Sequence, residues 1–276
     1  MEKVNCLICN TSNKKSILSY KLKDSNSNLF FLAHCIHCDF SYLDPRPSLK
    51  EISQYYDNTY LPHVSKKNTL LSHIYNLIQK ITFYWKKSII DKYSSDKMEL
   101  IDIGSGNNKF IDYLRDFNYK CSSYDEFSKQ ADYKCLKDIP NKKYNHITLW
   151  HSIEHIHNID ILFKKINKIS NSNTYLYIAC PNFNAIERKK LKDDWPAYDA
   201  PRHLYHFQYD SMEKLLTKYN FQIISTSIML QDTCFNILMS QNISLFKKIY
   251  LLIYSFIAIF FNRQKSSSLL YICKLK

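Results

Sequence analysis

The chain has 276 residues, enough for one full-sized α/β domain and a small additional module. Hydrophobic residues make up 45% and charged residues 23%, which allows an ordinary buried core and excludes a chain too polar to fold. The formal net charge of +13 is unevenly distributed, because residues 241–276 contain six basic and no acidic side chains. This segment favours an anionic partner, and the alternative is a solvated, lysine-rich surface.

The cysteines and the N-terminal residues indicate the cellular compartment. Residues 1–10 are polar and contain two cysteines, unlike a secretory signal. The nine cysteines form two close pairs and five singletons, a pattern without a disulfide framework. We therefore expect a cytoplasmic protein that binds a metal.

The two cysteine pairs predict a structural zinc site. They are Cys6-x-x-Cys9 and Cys35-x-x-Cys38. Two such pairs supply four thiolates in a tetrahedron, and a zinc ion with four protein ligands has no open position for catalysis. The spacer of 25 residues is longer than in common zinc ribbons, and His34 and His37 are alternative ligands. We expect a zinc-binding module over residues 1–45.

Pro45 and Pro47 end this module, and a helical connector follows. Apolar residues recur at helical spacing from Leu70 to Trp85. Beyond residue 98, strands and helices alternate, which predicts a doubly wound, largely parallel α/β sheet. The predicted strands are 99–103, 120–125, 145–150, 175–180, 221–228 and 269–274. The predicted domains are the module (1–45), a connector that caps the ligand site (46–97) and the α/β domain (98–276).

Both glycines of the chain lie in one loop, directly after the first strand of the α/β domain. Gly104 and Gly106 allow a ligand to approach the backbone, and Asn108 at the third position tolerates a positive φ. Asp125 ends the next strand, about 20 residues later, where a carboxylate accepts hydrogen bonds from ribose hydroxyls. The pattern predicts a nucleotide-containing cofactor. NAD is the nearest alternative, but its loop requires a glycine at the start of the helix that this chain lacks.

A first histidine-rich segment follows strand 145–150. It reads His151-Ser152-Ile153-Glu154-His155 and matches the H-x-x-E-H pattern of some zinc proteases. Those enzymes place the pattern on a long helix, whereas here it follows a strand. We therefore interpret the segment as the lining of a pocket.

A second segment, Asp199-Ala200-Pro201-Arg202-His203, lies in the loop after strand 175–180. Loops beyond the carboxyl ends of strands are where α/β sheets bind ligands. A histidine with a reference pKa near 6.5 can remove a proton from a hydroxyl group, which makes His203 a candidate base. The alternative is that His203 and Arg202 satisfy buried loop carbonyls.

The longest apolar run covers residues 249–261 and is flanked by Lys247, Lys248 and Arg263. Its thirteen residues are too few for a membrane-spanning helix, which needs about 20. We expect a buried helix or a lid. The alternative is a helix that lies on a membrane surface as a peripheral contact.

Together these features resemble class I S-adenosylmethionine-dependent methyltransferases, specifically the bacterial small-molecule branch with an N-terminal zinc-binding module. The resemblance covers nearly the whole chain and rests on short motifs. These are the two cysteine pairs, Asp44-Pro45-Arg46-Pro47, Tyr55-Tyr56, Tyr60, Asp102-Ile103-Gly104-Ser105-Gly106, residues 148–155, Cys180-Pro181-Asn182 and residues 200–207. The combination is specific for the fold and the cofactor and says little about the methyl acceptor.

The resemblance implies a Rossmann-like, doubly wound sheet of seven strands that binds S-adenosylmethionine. The residues implied to hold the methionine part of the cofactor are Asp102, Gly104, Ser105 and Gly106. Asp125 would hold the ribose, and Trp150 and His151 would line the pocket. In similar methyltransferases of ubiquinone biosynthesis, residues at this turn bind a divalent metal, which is an alternative interpretation of residues 151–155.

We expect O-methylation of a sugar or another small biosynthetic intermediate, including one that bears a nucleotide or a phosphate. His203 is the first candidate for the catalytic base, followed by His155 and Asp199. An RNA methyltransferase is one alternative, but the first sixty residues are nearly neutral and lack clustered cations for phosphates. A non-catalytic, zinc-bearing adaptor is another, and the intact glycine loop and Asp125 argue against it.

Overall fold

The computed structural model describes residues 1–12, 21–23, 28–56, 70–94 and 99–276. The strands are β1 (Lys21–Lys23), β2 (Leu29–Cys35), β3 (Phe40–Leu43), β4 (Glu99–Ile103), β5 (Lys120–Tyr124), β6 (His146–Trp150), β7 (Tyr175–Pro181), β8 (Tyr205–His206), β9 (Phe221–Ile228) and β10 (Ser268–Leu275). The α-helices are α1 (Leu70–Asp91), α2 (Lys109–Asp116), α3 (Ile159–Ile169), α4 (Ile186–Leu191), α5 (Tyr209–Lys218), α6 (Leu230–Met239) and α7 (Leu245–Phe261). The predicted motif residue Tyr60 and part of the predicted connector lie outside the described residues.

Six strands form the central sheet, in the order β5-β4-β6-β7-β10-β9. β4 is parallel to both β5 and β6, whereas β10 runs antiparallel to β9. Each predicted strand is present, and its ends differ from the prediction by at most one residue. The predicted fold class, a Rossmann-like sheet with helices, is confirmed.

The strand count differs from the seven that the resemblance implied. The difference lies beside β5, where residues 126–143 are mostly polar and lack an alternating apolar run. Tyr133 makes one isolated bridge to Tyr124 there, and no longer ladder forms among the described residues. Because a sheet strand is stabilised mainly by packing its side chains, this polar segment forms bends and a short 3-10 helix (Leu136–Asp138) instead.

The chain divides into two compact units. One, named the cysteine–histidine unit, contains Met1–Tyr55, His151–Asp160 and Ile178–Lys276. The other, named the glycine-loop unit, contains Tyr56–Trp150 and Ile161–Tyr177. The N-terminal residues therefore share a unit with the C-terminal part of the chain.

A four-stranded sheet of order β1-β2-β3-β8 belongs to the cysteine–histidine unit. β2 and β3 form an antiparallel pair, and β8 joins β3 through Ser41 opposite His206 and Tyr42 opposite Tyr205. The core of this unit includes Phe30, Leu32, Leu43, Trp195, Tyr198, Ile237 and Leu251. The strand that follows the second histidine-rich segment is thus part of the N-terminal sheet.

In the glycine-loop unit, β4 is buried after its first residue, as expected for an inner strand of a parallel sheet. Leu100, Ile101 and Ile103 are fully buried. α2 buries Phe110 and Leu114, four residues apart and so on one helical face. These apolar contacts hold both ends of the loop that contains the glycines.

Helix α7 contains the predicted apolar run, but the expectation of a buried helix is right for one face only. Leu251, Ser255 and Ile259 are buried, whereas Phe246 and Phe260 are 86% and 84% exposed. α4 and α6 pack against α7 and leave its other face uncovered by described residues. No helix in the described part of the chain is long and apolar enough to cross a membrane.

Candidate functional site

The glycine loop makes a tight turn between β4 and α2. Gly104, Gly106 and Asn108 have φ angles of 78°, 57° and 60°, the left-handed region that glycine and asparagine tolerate best. The amide of Gly104 donates to the Tyr124 carbonyl at 2.7 Å. A Cβ atom on Gly106 would meet no heavy atom within 4 Å. The backbone conformation, and not crowding by the protein, therefore favours glycine at position 106. The open space beside it allows a ligand to approach the backbone of the loop.

Asn108 fixes this loop through its buried side chain. Its amide nitrogen donates to Ser123 Oγ at 3.0 Å and to the Gln130 carbonyl at 2.6 Å. Its Oδ1 accepts from the Ser105 hydroxyl at 2.7 Å. The sequence predicts that Asn108 tolerates a positive φ. It does not predict the hydrogen bonds to Ser123 and Gln130, because these partners lie 15 and 22 residues away.

Asp125 connects the glycine loop to the turn after β5. Its Oδ2 accepts from the Gly106 amide at 2.9 Å, and its Oδ1 accepts from the amides of Phe127 and Ser128 at 2.9 and 2.8 Å. A carboxylate offers about four acceptor positions, so about one remains for a further donor such as a hydroxyl. The residue thus has a structural role and still fits the predicted ribose contact.

Asp102 and Trp150 are both buried and both interact with Lys86 of α1. The Thr148 hydroxyl donates to Asp102 at 2.6 Å. Burial raises the pKa of Asp102 to about 6, although the Thr148 hydrogen bond and the charge of Lys86 lower it. Lys86 Nζ lies 4.5 Å from the ring centre of Trp150, a cation–π contact. Sequence reasoning missed Lys86, which carries no motif.

In the cysteine–histidine unit, His151 lies between two carboxylates. Its Nε2 is 3.0 Å from Asp232 Oδ2, and its Nδ1 is 3.5 Å from Glu154 Oε1. Burial lowers the pKa of His151, but the two carboxylates outweigh this effect and raise it to about 10. The imidazole is therefore a cation at neutral pH. Asp232 was missed because it belongs to α6, far away in the sequence.

Glu154 is fully buried, and its carboxylate oxygens lack a hydrogen-bond donor among the described residues. His203 Nε2 lies 4.0 Å from Glu154 Oε1. The rings of His155 and His203 meet edge to face, with centres 4.6 Å apart. Burial raises the pKa of Glu154, but His151 and the other two histidines outweigh this effect and lower it. The positive charge of His151 thus compensates a buried carboxylate that would otherwise be costly.

Backbone carbonyls orient both histidines of this cluster. His155 Nδ1 lies 3.1 Å from the Arg202 carbonyl, and His203 Nδ1 lies 2.9 Å from the Ala197 carbonyl. A carbonyl only accepts, so each Nδ1 carries a proton and proton transfer is left to Nε2. Burial and then the charge of His203 lower the pKa of His155 to about 4, so His155 is neutral at neutral pH.

Asp199 is bound bidentately by Arg202. Arg202 Nε donates to Asp199 Oδ2 at 2.9 Å, and a terminal guanidinium nitrogen donates to Oδ1. Burial raises the pKa of Asp199, but Arg202 and His203 outweigh it and lower it. Asp199 Oδ2 also lies 3.7 Å from His203 Nε2. Arg202 also donates to the Tyr55 carbonyl at 3.1 Å. This contact agrees with the alternative interpretation of the second histidine-rich segment, in which Arg202 satisfies a loop carbonyl.

Glu154, His155 and His203 each place one possible metal-ligand atom within 4.8 Å of the others. This set differs from the divalent-metal alternative at residues 151–155, because His151 is held as a cation and His203 comes from another loop. Four groups with shifted pKa values, namely His151, Glu154, His155 and Asp199, thus lie close together and at least partly buried. Such clusters are typical of functional sites.

The four thiols of the two cysteine pairs meet in one place. The sulfur atoms of Cys6, Cys9, Cys35 and Cys38 all lie within 4.8 Å of one another. Cys9 and Cys35 are 3.6 Å apart, near the roughly 3.8 Å edge of a tetrahedron with zinc–sulfur bonds of about 2.3 Å. Asn10 and Asp39, which follow the two pairs, both adopt a left-handed φ. The geometry fits a four-thiolate site.

The alternative histidine ligands are not part of this cysteine cluster. His34 Nδ1 is 2.8 Å from Ser41 Oγ, and its Nε2 is 3.1 Å from Asp39 Oδ1. His34 therefore links β2 to β3 and stabilises this hairpin.

Comparisons with known proteins agree with this architecture. Residues 72–226, more than half of the chain, match a family described as a methyltransferase domain. The structure of geranyl diphosphate C-methyltransferase from Streptomyces coelicolor aligns over 80% of this chain and 88% of its own, with a TM-score of 0.50 and 12% identity. No curated protein matches the sequence.

Two further solved structures are similar. A SAM-dependent methyltransferase from Archaeoglobus fulgidus aligns over 71% of this chain and 93% of its own, with a TM-score of 0.47 and 16% identity. A putative sarcosine dimethylglycine methyltransferase from Galdieria sulphuraria aligns over 70% and 84%, with a TM-score of 0.48 and 11% identity.

Proposed function

The chain belongs to the methyltransferase domain family, as predicted, and we propose that it transfers a methyl group from S-adenosylmethionine to a hydroxyl oxygen. The acceptor class that we propose is a sugar or another small biosynthetic intermediate, including one with a nucleotide or phosphate group. The observation that carries this proposal is the cluster of the buried Glu154 and His203 with the half-buried His155, since a hydroxyl acceptor benefits from a base.

The glycine-loop unit would hold the cofactor. Gly106 leaves space where a side chain would otherwise project, and Asp125 retains about one acceptor position for a ribose hydroxyl. Asp102 and Trp150 would be the other contacts in this unit. Bound S-adenosylmethionine supplies an electrophilic methyl group on a sulfonium, which is the difficult part of the chemistry.

His203 would remove the acceptor proton. Its Nδ1 proton is held by the Ala197 carbonyl, which directs Nε2 toward proton transfer. The imidazolium formed after proton transfer would lie 3.7 Å from Asp199 and 4.0 Å from Glu154, two carboxylates that stabilise its charge. A base of this kind contributes about 10²–10⁴-fold to the rate.

The other two candidates support this base. Asp199 is occupied by Arg202, so it orients the loop and stabilises the charge on His203. The pKa of about 4 for His155 makes it a weak base at neutral pH, and its ring edge packs against His203. His151, as a cation, holds Glu154 in place and ionised.

The four cysteines would bind a structural zinc ion. Three of them are buried, none is in a disulfide, and their spacing suits tetrahedral coordination. Because β8 pairs with β3, the same metal would stabilise the strand that directly follows His203 and Leu204. Zinc would therefore support the acceptor site through the fold, without contacting the acceptor.

The reaction can be tested with purified protein, labelled S-adenosylmethionine and a panel of nucleotide-linked sugars and other small hydroxyl compounds. We expect label in a small product whose NMR spectrum shows the methyl group on oxygen. Methyl groups on carbon or nitrogen, or label in RNA only, would contradict the acceptor class. A protein that retains no S-adenosylmethionine would indicate the non-catalytic adaptor instead.

A further inference from the structure

Helix α7 exposes an apolar surface that no described residue covers. Its exposed apolar side chains are Leu245, Phe246, Ile249, Tyr250, Ile253, Phe256, Ile257, Phe260 and Phe261. At 100° per residue these nine positions fall within a continuous arc of about 160°. An ordinary surface helix presents charged and polar side chains to water, whereas this helix presents its polar Ser255 to the core.

The neighbouring helix extends the apolar surface. α6 packs against α7 and exposes Phe235, Leu238 and Met239 at 52%, 51% and 45%. These three positions are i, i+3 and i+4 and therefore share one helical face. Large uncovered apolar patches of this kind mark interaction surfaces.

Basic groups flank the apolar surface. Lys247 lies in the first turn of α7, and Arg263 and Lys265 follow its last turn. Lys190 of α4 places its Nζ 5.1 Å from the ring centre of Tyr254. The chain has no acidic residue after Asp232, so α7 and the residues that follow it carry only cationic side chains among their charged groups.

We propose that α7, together with the exposed face of α6, binds the surface of an anionic lipid bilayer. An apolar face with exposed aromatic residues and flanking lysines and arginines suits the boundary between headgroups and acyl chains. The helix would lie in the membrane plane, since its seventeen residues measure about 26 Å along the axis, less than the roughly 30 Å hydrocarbon core of a bilayer. A second copy of the chain fits less well, because the two cationic flanks would repel each other.

Flotation with phospholipid vesicles tests this proposal without any assay of methyl transfer, so its failure is distinguishable from failure of the proposed reaction. We expect the protein to float with vesicles that contain phosphatidylglycerol, to bind pure phosphatidylcholine more weakly, and to dissociate at high salt. The double substitution Phe246→Asp and Phe260→Asp should weaken binding at least tenfold. Both side chains are exposed, so the fold should persist, as circular dichroism can verify.

Two further variants sharpen the test. Replacing Lys247 and Arg263 by Gln should weaken binding to anionic vesicles about fivefold for each charge. Ile161→Asp is the matched control, because Ile161 is an apolar residue of α3 that is 52% exposed. Absence of binding to anionic vesicles overturns the proposal, as does equal loss in the Ile161 variant. A dimer that Phe260→Asp dissociates, without vesicle binding, would assign the surface to a second copy.

Discussion

The two units of the molecule assemble their chemistry in different ways. In the glycine-loop unit, the glycines and Asp125 follow two consecutive strands, and backbone amides provide most of the contacts. In the cysteine–histidine unit, Glu154, His203 and Asp232 come from three separate segments and meet through ionisable side chains. A site built from neighbouring strands can be read from local motifs, whereas one built from distant segments depends on the tertiary fold.

The largest expected effect is the loss of the zinc ion. Structural zinc contributes about 10–16 kcal/mol of apparent folding free energy in zinc-finger peptides. Cys35→Ser should therefore abolish metal binding and expose the N-terminal hairpin and the segment around β8 to proteolysis. The glycine-loop unit should remain protected from proteolysis, so the effect of zinc on the two units can be measured separately.

Limited proteolysis with mass spectrometry, combined with elemental analysis, measures both effects of the zinc ligands. Cys135→Ser is the control, since Cys135 is an exposed cysteine of the glycine-loop unit. Undiminished zinc in the Cys35 variant would contradict the proposed ligands.

The second effect concerns the base. His203→Ala should lower turnover by about 10²–10⁴-fold and leave cofactor affinity nearly unchanged, because the proposed cofactor contacts belong to the glycine-loop unit. The acidic limb of the pH–rate profile should disappear in this variant. His157→Ala is the control, as this half-buried histidine of the same unit hydrogen-bonds the Pro47 carbonyl outside the cluster.

If acceptor and cofactor binding weaken together in His203→Ala and the acidic limb persists, His203 only orders its loop. Steady-state kinetics and calorimetry on the same preparations distinguish the two results.

The third effect concerns the cofactor contacts. Asp125→Ala should weaken S-adenosylmethionine binding at least tenfold, since one charge-assisted hydrogen bond is worth about 1.5–3 kcal/mol. Gly106→Ala should lower the free energy of unfolding by about 1–2 kcal/mol, because alanine is strained at a positive φ. No clash adds to this strain, since no protein atom opposes the new Cβ. If the cofactor lies against the loop, the new Cβ also meets the cofactor, and the loss in binding free energy should exceed the loss in folding free energy.

Gly106→Asn controls for the strain, because asparagine adopts the same backbone conformation at position 108. Calorimetry and thermal unfolding of both variants provide the comparison. Unchanged affinity in Gly106→Asn would argue against close approach of the cofactor.

The smallest effect is the pH dependence of the ion pair between His151 and Asp232. The folded-state pKa of His151, about 10, lies above its unfolded value near 6.5. Its stabilisation is therefore complete below pH 6.5 and is lost as the pH rises through about 10. Asp232→Asn should reduce stability by about 1 kcal/mol at neutral pH, since about a third of the imidazole is exposed to screening solvent.

Urea unfolding of wild type and Asp232→Asn from pH 6 to pH 10 would measure this difference. The gap between the two proteins should narrow as the pH rises. A constant gap would mean that Asp232 stabilises α6 by means other than the charge of His151.

Local patterns were sufficient for much of the fold and for part of the site. Hydrophobic periodicity predicts the six strands of the central sheet, and the placement of the glycines predicts the loop. The spacing of the two C-x-x-C pairs predicts that their four thiols cluster. The contacts of Lys86 and Asp232 could not be predicted in this way, because neither residue lies in a motif.

The sequence by itself determined the six strands of the central sheet, the need for glycine at residues 104 and 106, and the identity of the four thiols that cluster. Tertiary structure alone decided that β8 joins the N-terminal sheet, that His151 is a cation and that the outer face of α7 stays uncovered. The physical reason is range: backbone propensity and side-chain periodicity act over a few residues. Burial and charge compensation depend on whichever distant segments the fold brings into contact.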